Sequence, residues 1–227
     1  MTIESYNRLP IGKYRELCDV DPNLPDLDRQ VAFVSVLTDI PTDELYAMPV
    51  PEYARLARCT AFLGEEMPEP QGRIMKEYRL GNFVLVPSTD IGRMTTAQYI
   101  DFQTYLREPE RFEVAILSVI LIPKGHKYNE GYDILEVQAA IRDNLSVVDA
   151  QELRAFFFGR LRIIMRGFLT YSAIQARRMK DREKRKATMA QIADLRTTLR
   201  TSGDGFATWM RFRRPADAAG MRSGIWP

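Results

Sequence analysis

At 227 residues the chain is long enough for one or two domains with a self-sufficient core, which excludes the mini-proteins that need disulfides or metals to hold them together. Hydrophobic residues make up 45% and charged residues 27%, with 13 glycines and 13 prolines, a composition neither collagenous nor broadly disordered. Two cysteines without a CxxC spacing, Cys18 and Cys59, and one histidine, His126, cannot assemble a His-based metal or catalytic cluster. No catalytic residue, metal site or cofactor is therefore expected.

Pro10 stands at a helix start, and Ile11, Tyr14, Leu17 and Cys18 follow on one stripe of a helix over 9–20. Residues 27–37 carry Val31, Phe33, Val34, Val36 and Leu37, too apolar for a surface helix, and Thr38-Asp39-Ile40-Pro41 stops the run. Thr42 is placed to cap a short helix through Leu45 and Tyr46. A further helix over 51–62 opens on Pro51 and directs Tyr53, Leu56, Ala57 and Phe62 inward. Residues 64–74 form a polar, proline-bearing linker, after which the period changes. Residues 75–80 and 83–87 flank Gly81-Asn82 and predict a hairpin, the only sheet expected.

Thr95 opens a helix with Tyr99, Phe102 and Leu106 on one stripe. Pro109 starts another that runs to Ile122, with Phe112, Ile116, Val119 and Ile120 inward and Pro123-Lys124-Gly125 as its stop. Residues 134–145 predict a helix, residues 146–149 a break with a capping residue, and the pattern from Ala150 stays helical to about Arg200. Such a length calls for a break, near Gly167 or Lys186. The most apolar stretch, 156–174, contains Arg160, Arg162 and Arg166; at roughly 2.5–3.5 kcal/mol each they exclude a membrane span. It reads as a buried helix whose arginines reach outward or to carboxylates. The fold class expected is mainly α: a multi-helix globular domain with one small β-hairpin and a long C-terminal helix. Its regions are 1–70 (helical), 71–176 (hairpin plus helical core) and 177–227 (basic helix and aromatic tail).

The net charge of +2 conceals a polarity: residues 1–150 hold 15 Lys and Arg against 24 Asp and Glu, whereas residues 151–227 hold 17 against 6. Such a split implies either a surface for nucleic acid, for an acidic partner or for the acidic half of a neighbouring copy, or simply a solvated helix face. Within RRMKDREKRK (177–186) seven residues are positive and two negative. The segment offers no aromatic ring for base stacking and spreads its charge around the helix, so nucleic acid is the less favoured partner. Arg177, Arg178, Lys184 and Arg185 are the candidate contacts for protein. The last 27 residues mix glycine with Phe206, Trp209, Phe212 and Trp226, a set of anchors that docks on a partner, on the next copy or back on the chain's own core.

His126, in a loop of Gly, Lys and Tyr, could serve as a general base, but a solvated turn is the expectation. Asp19, Asp21, Asp26 and Asp28 mimic a calcium loop without its central glycine or closing glutamate, and read as a linker with helix caps. Gly12, Gly81 and Gly92 form no nucleotide fingerprint, and both cysteines read as small core residues. The first twenty residues hold no apolar run with a cleavage site, so a reducing cytosol is the expected compartment.

The strings MTTAQYIDFQTYL (94–106), AILSVILIPKGHKYNEGYDI (115–134) and AIRDNLSVVDAQELRAFFF (140–158) resemble proteins of the tail-morphogenesis region of long-tailed phages and prophages, particularly those of Bacteroidetes hosts. IGKYREL (11–17), DIPTDEL (39–45) and PVPEYARL (49–56) are similar to the same group, so the resemblance covers roughly residues 5–160. It implies a tail assembly chaperone: a small, mostly helical, non-enzymatic factor that coats the tape-measure protein until tail-tube subunits polymerise around it. The setting it implies is the bacterial host cytoplasm, with phage tail proteins as partners, self-association and no membrane. The resemblance carries no binding motif onto this chain and stops before the basic helix and aromatic tail. That leaves a structural virion or connector protein, touching DNA or an acidic neighbour, as the alternative.

Overall fold

The pyrrolidine ring holds Pro10 at φ −64° in the N-cap position, just ahead of α1 (Ile11–Asp19). The computed structural model describes residues 3–88, 90, 93–105, 113–178 and 182–193, and the same device recurs in it three times. Pro25, Pro41 and Pro49 stand at the N-caps of α2 (Asp26–Thr38), α3 (Thr42–Ala47) and α4 (Val50–Ala57). None of these caps makes a side-chain hydrogen bond, so Thr42 is the first helical residue and not the expected cap. Acidic residues in the first turns, Asp26, Asp28, Asp43, Glu44 and Glu52, face the positive ends of α2 to α4 instead. Ile11, Tyr14 and Leu17 are buried on the predicted stripe of α1, with Cys18 half-buried at its margin. The helix expected over 51–62 is two elements: α4 ends at Ala57 and the chain tightens into a 3-10 helix over Arg58–Gly64, which turns Cys59, Phe62 and Leu63 inward.

The hairpin forms as predicted but shorter, β1 (Tyr78–Leu80) against β2 (Phe83–Pro87), with Gly81 at φ 57° in the turn and Leu80 opposite Phe83. It is not the only sheet element. A third strand, β3 (Leu121–Pro123), pairs antiparallel with the other side of β2, Leu85 opposite Pro123 and Pro87 opposite Leu121. Helical periodicity carried the expected helix to Ile122, whereas α6 (Glu113–Ile120) stops two residues earlier. Pro123 disfavours the α conformation at Ile122, and β2 offers an edge whose backbone groups need partners. Lys124 N donates to Val84 O at 2.8 Å and Ser88 N to Ile120 O at 2.7 Å, extending the ladder at both ends.

In α5 (Thr96–Tyr105), Thr95 Oγ1 accepts from Gln98 N at 3.1 Å and so caps the helix. The inward face is Gln98 and Phe102, four residues apart; Tyr99, expected on the stripe, is exposed. Gln98 Nε2 donates to Val119 O at 2.7 Å and ties α5 to α6. Leu106, Pro109 and Phe112 lie outside the described residues. α7 (Ile134–Asn144) starts on Asp133, whose Oδ1 accepts from Leu135 N at 2.8 Å. Two residues later Ser146 Oγ accepts from Asp149 N at 3.0 Å and donates to Asp149 Oδ2 at 2.7 Å, the capping expected there, and opens α8 (Val147–Arg178).

The joint between α7 and α8 is stitched to the N-terminal segment. Ile11 N donates to Leu145 O at 3.0 Å and Val147 N to Leu9 O at 2.9 Å. Beside it α1 and α7 approach so closely that a Cβ on Gly12 would lie 2.9 Å from Arg142 Cγ and 3.1 Å from Arg142 O. The first three turns of α8 then enter three hydrophobic clusters in succession. Val147 joins Leu9, Phe33 and Leu63; Ala150 and Leu153 join Ile11, Tyr78, Leu85 and Val137; Phe157 joins Phe102, Ile116 and Val119. On the outer side of the same turns Glu152 accepts from Gln71 N at 3.0 Å and Arg73 N at 2.7 Å, with Gly72 at φ 73° between them, so the polar linker is held to the helix.

Past Phe157 most of the described side chains depart from the expected core helix. Gly159, Arg160, Ile163, Thr170 and Tyr171 are exposed, and Arg160 lies 5.4 Å from the centroid of the Phe156 ring. Among the described side chains there, Ala173 and Ala176 are the buried ones, against Met189 and Ile192 of the helical residues 182–193, which fold back on α8. α8 passes through Gly167 unbroken and ends at Arg178, inside the basic run where a break was the other expectation; Lys186 belongs to the second helical run, and residues 179–181 between the two lie outside the described residues. Among the described residues no helix is long and apolar enough to cross a membrane.

Phe157 meets Phe102 edge to face, with ring centroids 5.1 Å apart, and is almost fully buried. Phe157→Ala should lower unfolding stability by about 3–5 kcal/mol. Urea denaturation followed by circular dichroism checks this, and an unshifted midpoint contradicts it.

Candidate interaction surface

Two arrangements of charge stand out in the fold, one buried and one exposed. The buried one joins α6 to α8: Arg154 Nη1 donates to Glu113 Oε1 at 2.6 Å, with the two side chains 3% and 10% exposed. Burial pushes the Glu113 carboxyl up against the pull of Arg154 and Arg15, and pushes the Arg154 guanidinium down against the pull of Glu113. Neither residue is a candidate in the sequence reading, because each looks like an ordinary surface charge on a helix. Tyr14 and Cys18 of α1 lie within the same electrostatic neighbourhood; burial raises the tyrosine hydroxyl and pushes the Cys18 thiol up to about 11. The arrangement is a brace between three helices.

The smaller candidates are dispersed. His126 is exposed, its Nδ1 lying 3.2 Å from Glu130 O and its ring edge-on to Tyr132 at 5.8 Å. It sits at the rim of an open depression of about 500 Å³ beside Phe83, Lys124 and Glu136, where Lys124 Nζ is engaged by Glu77 Oε1 at 2.5 Å. The aspartates of the calcium-like run act separately. Asp21 Oδ1 accepts from Asn23 N at 2.9 Å, Asp26 pairs with Arg29, and Asp28 accepts from the Tyr46 hydroxyl at 2.6 Å. Among the described residues no three His, Cys, Asp or Glu side chains gather into a metal-holding group.

The exposed arrangement is the outer part of α8 with the helix that folds back on it. Arg177 and Arg178 end α8 in solvent, Lys184 is exposed and Arg185 half-buried, so four predicted contacts fall on one helical arm. Phe206, Trp209, Phe212 and Trp226 lie outside the described residues. What sequence reasoning missed is the apolar part of the arm: Ile163, Tyr171 and Ile174, exposed and spaced by eight and three residues, share one side of α8. Ala173 and Ala176, which face the returning helix, occupy the other side. The signal was in the run 156–174 itself, read there as core. No family model, no curated protein and no solved structure matches the chain.

Two outcomes follow from the buried chemistry. Burial raises both thiols, Cys18 to about 11, which depletes the thiolate at pH 8. Native protein should therefore react with a disulfide reagent at least tenfold more slowly than urea-unfolded protein, as read by thiol release. Arg154→Met, which strands a buried carboxylate, should cost about 3–5 kcal/mol, and adding Glu113→Met should recover most of that loss in equilibrium denaturation.

Proposed function

We propose that the protein is a non-enzymatic phage tail assembly factor that binds the tape-measure protein or tail subunits, in the manner of a chaperone, through its C-terminal arm. The observation that carries this reading is the course of α8, whose inner end is anchored in the core while its outer end holds Ile163, Tyr171 and Ile174 in solvent among arginines. Large apolar side chains flanked by Arg are the composition of interface centres. The proposed tail anchors Phe206, Trp209, Phe212 and Trp226 come later in the chain and add further large apolar residues to its C-terminal part. The phage setting rests on the resemblance over residues 5–160, and the host cytoplasm is the compartment that goes with it.

A second reading, a structural virion or connector protein, is favoured by the part of the chain that the resemblance does not reach, the basic helix and aromatic tail beyond Arg177. Mass spectrometry of purified particles separates the two: an assembly factor is absent from them, whereas a structural subunit is present in fixed copy number. In pull-downs with tape-measure and tail-tube proteins, Trp209→Ala should weaken capture at least tenfold, consistent with about 2 kcal/mol for an interface hot spot. His126→Ala should leave capture and stability unchanged. Capture that survives deletion of residues 202–227 and charge reversal of Arg177, Arg178, Lys184 and Arg185 refutes the assignment of the arm.

A further inference from the structure

At the opposite end of the charge gradient the chain presents a second exposed apolar patch. The Tyr46 hydroxyl bond to Asp28 fastens the end of α3 to the start of α2, and Val31, Val34 and Leu45 form the small core beneath. Outside that core stand Leu27, Tyr46 and Val50, the last 78% exposed although it opens a helix. Their surroundings are strongly acidic: residues 21–52 contain seven Asp and Glu and a single basic residue, Arg29, which is buried against Asp26. The arm is the complement. In sequence, residues 160–193, which carry the stripe of Ile163, Tyr171 and Ile174, contain ten Lys and Arg against two acids.

We propose that the occupant of this acidic apolar face is the arm of a second copy of the same chain. Each surface has an apolar centre of three large side chains on a stretch dominated by one sign of charge, and the dominant signs are opposite, although Lys13 and Arg29 already neutralise Asp39 and Asp26 on the acidic side. Seating one on the other removes both centres from water while pairing rather than stranding their rims. Both faces are exposed in the same molecule, so the contact joins different patches of two copies and repeats head to tail. From Gly159 to Arg178 the arm offers about 30 Å of helix at 1.5 Å per residue, a strip on the order of 300 Å² per partner, the size of a weak contact that leans on its charge match. The inference uses only the two surfaces of this chain, but it takes the same arm assigned above to tail proteins, so a second copy and a tail protein would compete for it.

The test uses the full-length protein and two variants at exposed positions, Val50→Arg on the acidic face and Ile174→Glu on the arm. By light scattering across a concentration series at 0.1 M salt, the parent chain should form species larger than a dimer, and each variant alone should associate at least tenfold more weakly. The decisive step is mixing. Equimolar variants should recover a heterodimer and go no further, because the intact arm of one fits the intact face of the other. At 1 M salt, where screening falls to about 3 Å, association of the parent should weaken at least tenfold. Leu27→Arg and Ile163→Glu, assayed in the same way, replace either variant whose circular dichroism spectrum departs from the parent. A parent chain that stays monomeric overturns the proposal. So do variants that associate undiminished, or a mixture that stays monomeric.

Discussion

Three of the hydrophobic clusters meet on the first three turns of α8, and the interaction that fixes the register of those turns is the buried pair between Arg154 and Glu113. A charge taken out of water is tolerated only next to its partner, so α6 and α8 cannot slide past one another without stranding both. With that register set, Val147, Leu153 and Phe157 each point into a different cluster. The outward Glu152 holds the linker that leads into the sheet. The N-terminal helices and the sheet therefore share a common wall.

The N-terminal helices solve a local problem in a uniform way. Four helix starts use proline where Ser, Thr or Asp would ordinarily accept an amide hydrogen bond. Proline fixes the entry angle of each short helix but leaves the first-turn amides without a side-chain acceptor. The acids behind the prolines supply negative charge there. The acidity of the first part of the chain is thus in part a structural requirement of many short helices, and the same residues colour the surface around Leu27, Tyr46 and Val50.

Much of this was legible in the sequence, for physical reasons that also mark where legibility ends. Pro10 at a helix start, the stripe of Ile11, Tyr14 and Leu17, the Gly81-Asn82 turn and the capping near Ser146 all act over a few residues and were readable; Pro25, Pro41 and Pro49 as N-caps were not, because a proline reads equally well as a stop, a first helical residue or a cap. β3 was not, because Leu121–Pro123 becomes a strand only by meeting Val84–Pro87, and its own residues fit the end of an apolar helix equally well. Glu113 and Arg154 are 41 positions apart, and nothing local distinguishes them from solvated charges. The same limit applies to 156–174: hydropathy predicts that Phe157 and Ile163 are alike, but whether a turn of helix is covered depends on where its neighbours end. Arg177, Arg178 and Lys184 were readable as exposed because a dense run of charge has no core to enter. Their contribution to an apolar surface required the course of α8.

The continuity of α8 has a mechanical consequence. A single helix of 32 residues, near 50 Å at 1.5 Å per residue, leaves the core without a proline or a loop between its anchored and its free ends. Its outer turns are thus aimed before anything touches them, and a partner gains contact without first immobilising a swinging segment, a saving in orientational entropy that a tethered peptide cannot offer. The stiffness works in the other direction as well. A torque applied at Tyr171 is delivered to Phe157 and Leu153, so the hydrophobic core itself is the bearing on which the projecting helix turns.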